Sequence, residues 1–194
     1  MVMSKWGYHS LLMAFLCVMI GCNSSPSHLA DPTIEPGWHE LLSRKLPLLG
    51  HRNWILVVDK AYPAPAGDNI LFIDTEKPMP EVLGGVVGLL NQQPHVKPIF
   101  YTDKEIGYLD DSIAPGLKEY KRSLDTILHQ VKLQSLMHED VFRKMDQAAE
   151  LFQVVVLKTE SLVPYSSIFI ELDCKYWDAN REKILREQIT KSTE

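Results

Sequence analysis

The chain has 194 residues, of which 45% are hydrophobic and 23% charged, with a net charge of −5 and three cysteines. That length and apolar content suit one domain of ordinary size with a sizeable core. An acidic balance with no basic stripe argues against a nucleic-acid partner, and so few cysteines leave no disulfide framework.

In chain order, Lys5 is the only charged residue before Cys22, and Leu11–Ile20 is an apolar run too short to span a bilayer. Gly21-Cys22 follows, then the polar run Asn23-Ser24-Ser25-Pro26-Ser27. The pattern is similar to a bacterial lipobox, in which the cysteine is lipidated and becomes the first residue of the mature chain. Met19 stands where leucine is usual. Residues 1–21 are therefore expected to be a lipoprotein signal peptide and Cys22 the lipid attachment site. Residues 22–37, rich in Ser and Pro, read as a flexible tether, and residues 38–194 as the folded domain. The expected location is the bacterial cell envelope, on the periplasmic side of a membrane reached through the lipid anchor. Asn23, in place of an Asp after the cysteine, points to the outer membrane.

Trp38–Lys45 reads as a short helix stopped near Pro47 and Gly50. Trp54–Val58, Ile70–Ile73 and Val96–Tyr101 read as strands, with a buried helix over Pro80–Leu90 between the last two. Lys104–Pro115 is loop-like. Helical spacing returns over Gly116–Val131, followed by a short strand within Lys132–Met137 and a helix over Glu139–Phe152. Val154–Leu157 is a core strand and Ser167–Leu172 the last strand. Asp178 is placed to cap a final helix, Ala179–Thr190. Strands alternating with helices predict an α/β fold with a mainly parallel sheet covered on both faces. Cys174 reads as a small core residue, and the aromatic tail 173–178 as a packing contact or a lid.

No cofactor or metal is expected. The sequence lacks GxxxxGK[ST], HExxH, CxxC and GxSxG motifs, and Gly84-Gly85-Val86-Val87-Gly88 is not a GxGxxG fingerprint. What remains is Gly50-His51-Arg52-Asn53-Trp54-Ile55-Leu56-Val57-Val58-Asp59 and the proline-containing loop after it. A histidine and an aspartate stand at the two ends of one strand, eight residues apart. At about 3.3 Å per residue a strand holds them well separated. They meet only if loops fold over or a neighbouring subunit supplies one of them.

This stretch resembles the RbsD/FucU family of sugar mutarotases, the D-ribose pyranases and L-fucose mutarotases, which carry Gly-His, an apolar strand, Asp and a Pro-containing loop. A second match is Val154–Glu160 followed by Pro164-Tyr165-Ser166-Ser167-Ile168, similar to the family's last core strand, turn and Tyr-x-Asn strand. The resemblance implies a three-layer α/β sandwich, RbsD-like, that forms ring-shaped homo-oligomers with sites near subunit contacts. It also implies a cofactor-independent interconversion of the ring forms or anomers of a monosaccharide.

That reaction needs a proton taken from the anomeric hydroxyl and one given to the ring oxygen. An imidazole suits both tasks, and His51 is the candidate. Asp59, beyond the carboxyl end of a strand, can accept hydrogen bonds from sugar hydroxyls or cap its own loop. The family's second histidine, which follows a strand and precedes Glu and a helix, matches His138 if that helix is one turn longer here. Counting back from Tyr165 without a gap instead gives Arg143, as in fucose-type members; His138 is the preferred reading. Tyr165 matches the family tyrosine that contacts sugar. Ser167 stands where asparagine is usual, so that contact becomes water-mediated. Lys60 replaces a small residue and is expected to pair with Asp59 or add a donor. The rival reading is a non-catalytic sugar-binding envelope lipoprotein on the same scaffold.

Overall fold

The elements of the computed structural model, which describes residues 36–64 and 66–192, follow the apolar patterning closely. The strands are β1 (Trp54–Val58), β2 (Ile70–Asp74), β3 (Val96–Asp103), β4 (Leu133–Leu136), β5 (Val154–Lys158) and β6 (Ile168–Cys174). The helices are α1 (Trp38–Lys45), α2 (Met79–Asn91), α3 (Leu117–Ile127), α4 (His138–Leu151) and α5 (Ala179–Ser192). The expected signal peptide, Cys22 and almost all of the tether lie outside the described residues. Among the described residues, no helix is long and apolar enough to cross a membrane.

One six-stranded sheet runs in the order β2-β5-β1-β6-β3-β4. β1 and β2 pair in parallel with β5, and β3 pairs in parallel with β4. β6 alone is antiparallel, and it lies in the interior, between β1 and β3. β1 is buried at every position and β5 at all but Lys158. This is the near-continuous apolar reading of strands covered on both faces.

Two apolar layers do the covering. Leu42 of α1, Val82, Leu83, Val86 and Leu90 of α2, and Leu117 and Tyr120 of α3 pack on Ile55, Val57, Val155, Leu157 and Ile170. On the other face α4 supplies Val141, Met145 and Ala148 against Leu56, Val58, Val154, Val156 and Phe169. The expected α/β three-layer sandwich with a mainly parallel central sheet is therefore the observed one. Gly85 explains one of the glycines in α2: a Cβ there would lie 2.6 Å from the Trp38 ring, so the glycine lets α1 approach. Asp178 caps α5 as its position predicts, accepting the Arg181 amide at 2.8 Å. No residue of α5 is buried.

Some boundaries moved. The loop-like segment after β3 begins with a 3₁₀ helix, Lys104–Tyr108. β3 runs two residues past the expected Tyr101, carrying the chain to Asp103. α3 stops at Ile127, short of Val131.

Candidate functional site

The connection from β5 to β6 builds the site. These strands flank β1, and β5 is parallel to it while β6 is antiparallel. The residues between Lys158 and Ile168 must therefore cross over the carboxyl end of β1. A short connection of this kind can only return antiparallel; a parallel return needs a crossover of a dozen residues or more. The crossing is secured by hydrogen bonds. Thr159 donates to the Val58 carbonyl through its amide (2.9 Å) and its hydroxyl (2.8 Å), and the Lys60 amide donates to the Ser161 carbonyl at 2.8 Å. The Ser161 and Ser166 hydroxyls lie 3.1 Å apart, and Tyr120 of α3 donates to the Ser166 carbonyl at 2.6 Å. Tyr165 has the left-handed φ of 58°. A bulky residue there is strained, and such strain concentrates at functional positions.

This connection sets Ser167 beside Asp59 and Tyr165 against His138. The Ser167 hydroxyl donates to Asp59 Oδ2 at 2.9 Å and accepts the Asp59 amide at 3.2 Å. Asp59 Oδ1 accepts the Ala61 amide at 2.9 Å, so the Asx turn expected of this residue forms as well. Ser167 is 2% exposed. Its hydroxyl is engaged in orienting Asp59.

His138 enters from α4. Its backbone amide donates to both oxygens of Glu105, at 3.1 and 3.2 Å, which gives the helix an N-terminal acceptor that Met137 does not provide. Its ring lies edge-on to Tyr165 at 5.3 Å between centroids and 4.7 Å from Phe142, which stacks on Tyr62 at 5.6 Å. Nδ1 stands 3.1 Å from Oδ1 of Asp103, the last residue of β3, although the pair is not aligned as a hydrogen bond. Burial pushes the Asp103 carboxyl up to about 6, the charges of Glu105 and Asp59 push the same way, and His138 opposes them. Burial first, then Asp146, Asp103 and Asp59, raise the Tyr62 phenol to about 12. Asp59, His138, Tyr165 and Ser167 thus share the carboxyl edge of the sheet, in keeping with the rule that open α/β sheets bind ligands there.

Arg143 is one side of an open depression of about 450 Å³ along α4, with His138, Glu139, Phe142 and Asp146, and it pairs with Asp140 at 3.0 Å. Lys60 does not pair with Asp59. Its ammonium meets Glu160 and, at 3.4 Å, Asp74, because the β1–loop turn directs it toward the β2 and β5 ends.

His51 lies at the opposite end of β1. Its Nδ1 is 3.1 Å from Asp173 Oδ1 on β6, and Asp173 Oδ2 is 3.0 Å from Lys97. Burial disfavours the Asp173 carboxylate, but Lys97, the Cys174 amide and His51 outweigh it and hold its pKa below the ordinary value. A cavity of about 720 Å³ adjoins His51, walled by Asp173, Cys174, Trp177 and Glu182 among others. The aromatic tail therefore borders this cavity. Cys174, the last residue of β6, is half-buried on its wall and not in the core. Within one chain His51 and Asp59 do not meet.

Two residues of the carboxyl edge escaped the sequence reading. Asp103 stands just beyond the predicted end of its strand, and Glu105 falls in a predicted loop. Neither carries a motif. Among the described residues no group of three or more His, Cys, Asp or Glu is arranged to hold a metal ion.

No protein-family model matches the chain, and no curated protein is significantly similar to it. Among solved structures it is similar to Bacillus subtilis RbsD complexed with D-ribose, with 22% identity, 71% of this chain and 95% of that one covered, and a TM-score of 0.48. It is also similar to the fucose mutarotase of Streptococcus pneumoniae in complex with L-fucose (18% identity, 68% and 89% covered, TM-score 0.47). FucU from Bifidobacterium longum is a third (21% identity, 73% and 96% covered, TM-score 0.43).

Proposed function

We propose that this chain binds a monosaccharide at the carboxyl edge of its sheet and interconverts the sugar's ring forms by acid/base catalysis. The observation that carries the reading is the convergence of Asp59, His138 and Tyr165 on one edge, from segments far apart in sequence. Asp59, oriented by Ser167, accepts hydrogen bonds from hydroxyls. Tyr165 offers an apolar ring face together with a phenol that donates and accepts. His138 offers an imidazole. Such a set suits a polyhydroxylated ring with alternating polar and apolar surface. Arg143 is a further donor at the rim if its pair with Asp140 opens.

His51 is the proton-transfer group in this reading. His51 and Asp59 flank the five residues of β1, which span roughly 17 Å, so His51 reaches the Asp59 edge only when another copy of the chain presents it. The proposal therefore includes a ring-like homo-oligomer, and with it a shared site. It also includes lipidation at Cys22 and residence in the bacterial envelope, on the strength of the Gly21-Cys22 pattern.

Exchange NMR on a panel of free sugars tests the function. Saturation should pass between ring forms in the presence of wild-type chain. His51→Ala should lower that exchange by about 10²–10⁴-fold, the usual cost of losing a general acid/base, and Asp59→Asn should weaken both binding and rate. Ligand broadening with no exchange would favour the sugar-binding lipoprotein instead.

A further inference from the structure

Asp103 is 1% exposed. A carboxylate taken out of water needs hydrogen bonds to offset its desolvation, and native structures rarely leave one without them. Neither Asp103 oxygen has an aligned hydrogen-bond partner, and the adjoining Thr102 hydroxyl is likewise buried and unpartnered. Within 3.1 Å of Asp103 lies Nδ1 of His138, itself buried. The His138 side chain as a whole remains 41% exposed although Nδ1 is buried, so its exposure falls on atoms other than Nδ1. Phe142, Tyr165 and the Glu105 clasp on the His138 amide hold the ring in this pose.

We infer that Asp103 is a positioning residue that fixes the imidazole of His138 with Nδ1–H toward the buried carboxylate and Nε2 toward the open edge. His138 thereby becomes a proton-transfer group of the sugar site. This rests on the ring-interconversion reading above. With the proton held on Nδ1, the free electron pair is on Nε2. Nε2 takes the proton of the anomeric hydroxyl while the bond from the anomeric carbon to the ring oxygen breaks. The bonding pair passes to the ring oxygen, which takes a proton from the second group, His51 of another copy. The anomeric carbon becomes an aldehyde. Closure on its other face, or through a different hydroxyl, reverses both transfers and returns the protons, so no co-reactant is consumed.

The arrangement is the one by which a buried carboxylate selects a histidine tautomer in hydrolase triads, where the wrong tautomer costs about 10⁴-fold. The ionisable groups facing Asp103 are His138 from α4, Glu105 from the 3₁₀ helix, Asp59 and Tyr62 from the end of β1 and its loop, and Tyr120 from α3.

The test is long-range ¹H–¹⁵N NMR of the full chain with labelled histidine, in parallel with ring-exchange measurements. In wild type at pH about 7.5, above the titration of the neighbouring carboxyl, His138 should show the Nδ1–H tautomer with unprotonated Nε2. Asp103→Leu should shift it toward the Nε2–H form and slow ring exchange by about 10²-fold or more. Should that variant fail to fold, His138→Gln carries the test. The Asp103 carboxyl carbon should then titrate at higher pH, because the neighbour that opposes burial is gone. A His138 tautomer indifferent to Asp103→Leu, or an Asp103 titration unmoved by His138→Gln, overturns the inference. A locked tautomer with no exchange of any sugar in wild type instead overturns the ring-interconversion reading, and with it the proton-transfer role given to His138.

Discussion

Asp103 costs the protein stability at neutral pH, and the sign follows from its surroundings. Burial lifts its carboxyl to about 6 from an ordinary 3.8. Between those values the folded chain holds a proton that the unfolded chain has lost, so this group's contribution falls as pH rises through the window. Asp103→Asn keeps the shape and removes the charge. Relative to wild type it should gain on the order of 1–3 kcal/mol between pH 4 and pH 7, read as a difference in denaturant midpoints; equal slopes with pH would show that the carboxyl is not burdened by burial. A residue that costs this much and lacks aligned hydrogen bonds is one that function can explain, since stability and activity trade off at such sites. Nothing in the sequence marks Asp103. The groups it interacts with, Tyr120, Tyr62 and His138 of α4, come from three separate segments. Asp59 and His138, in contrast, were legible because each stands beside a strand end in a motif.

At the scale of elements, helix ends and glycines carry the sharpest expectations. α4 begins at Met137-His138 with no cap of its own, and Glu105 supplies the missing acceptor from 33 residues away. Glu105→Ala should therefore cost about 1 kcal/mol, the usual loss for an N-terminal cap, visible in thermal melts. It should also broaden the His138 ring signals, since the same contact holds that residue. Two glycines of α2 should behave oppositely. Gly88 is exposed with nothing near its missing Cβ, so Gly88→Ala should stabilise by about 0.5–1 kcal/mol through helix propensity. Gly85→Ala gains the same propensity but drives a methyl into Trp38, and its melting temperature should fall below that of Gly88→Ala. Periodicity found α2 and its buried face, but which glycine is there for packing depends on where α1 lies.

For the whole molecule, His51 and Asp59 lie at opposite ends of β1, at opposite edges of the sheet. If they act together, the chain must self-associate. Light scattering at micromolar concentration should report a multimer; a monomer would leave His51 without access to the Asp59 edge. Mass spectrometry of protein recovered from membranes should find Cys22 as a lipid-bearing first residue, and a Cys22→Ser variant should lose the lipid. A mature wild-type chain starting elsewhere would end the anchor proposal. The sequence by itself determined the order of helices and strands and the two-sided core, because apolar periodicity is a local signal. The tertiary structure decided the rest. It put β6 antiparallel in the middle of the sheet, drew the segment between Lys158 and Ile168 across the end of β1, turned Ser167 onto Asp59 and buried Asp103 against His138. Those outcomes depend on which strands become neighbours, and strand pairing joins residues that lie about a hundred positions apart, as at Asp59 and Ser167, through contacts that no local pattern encodes.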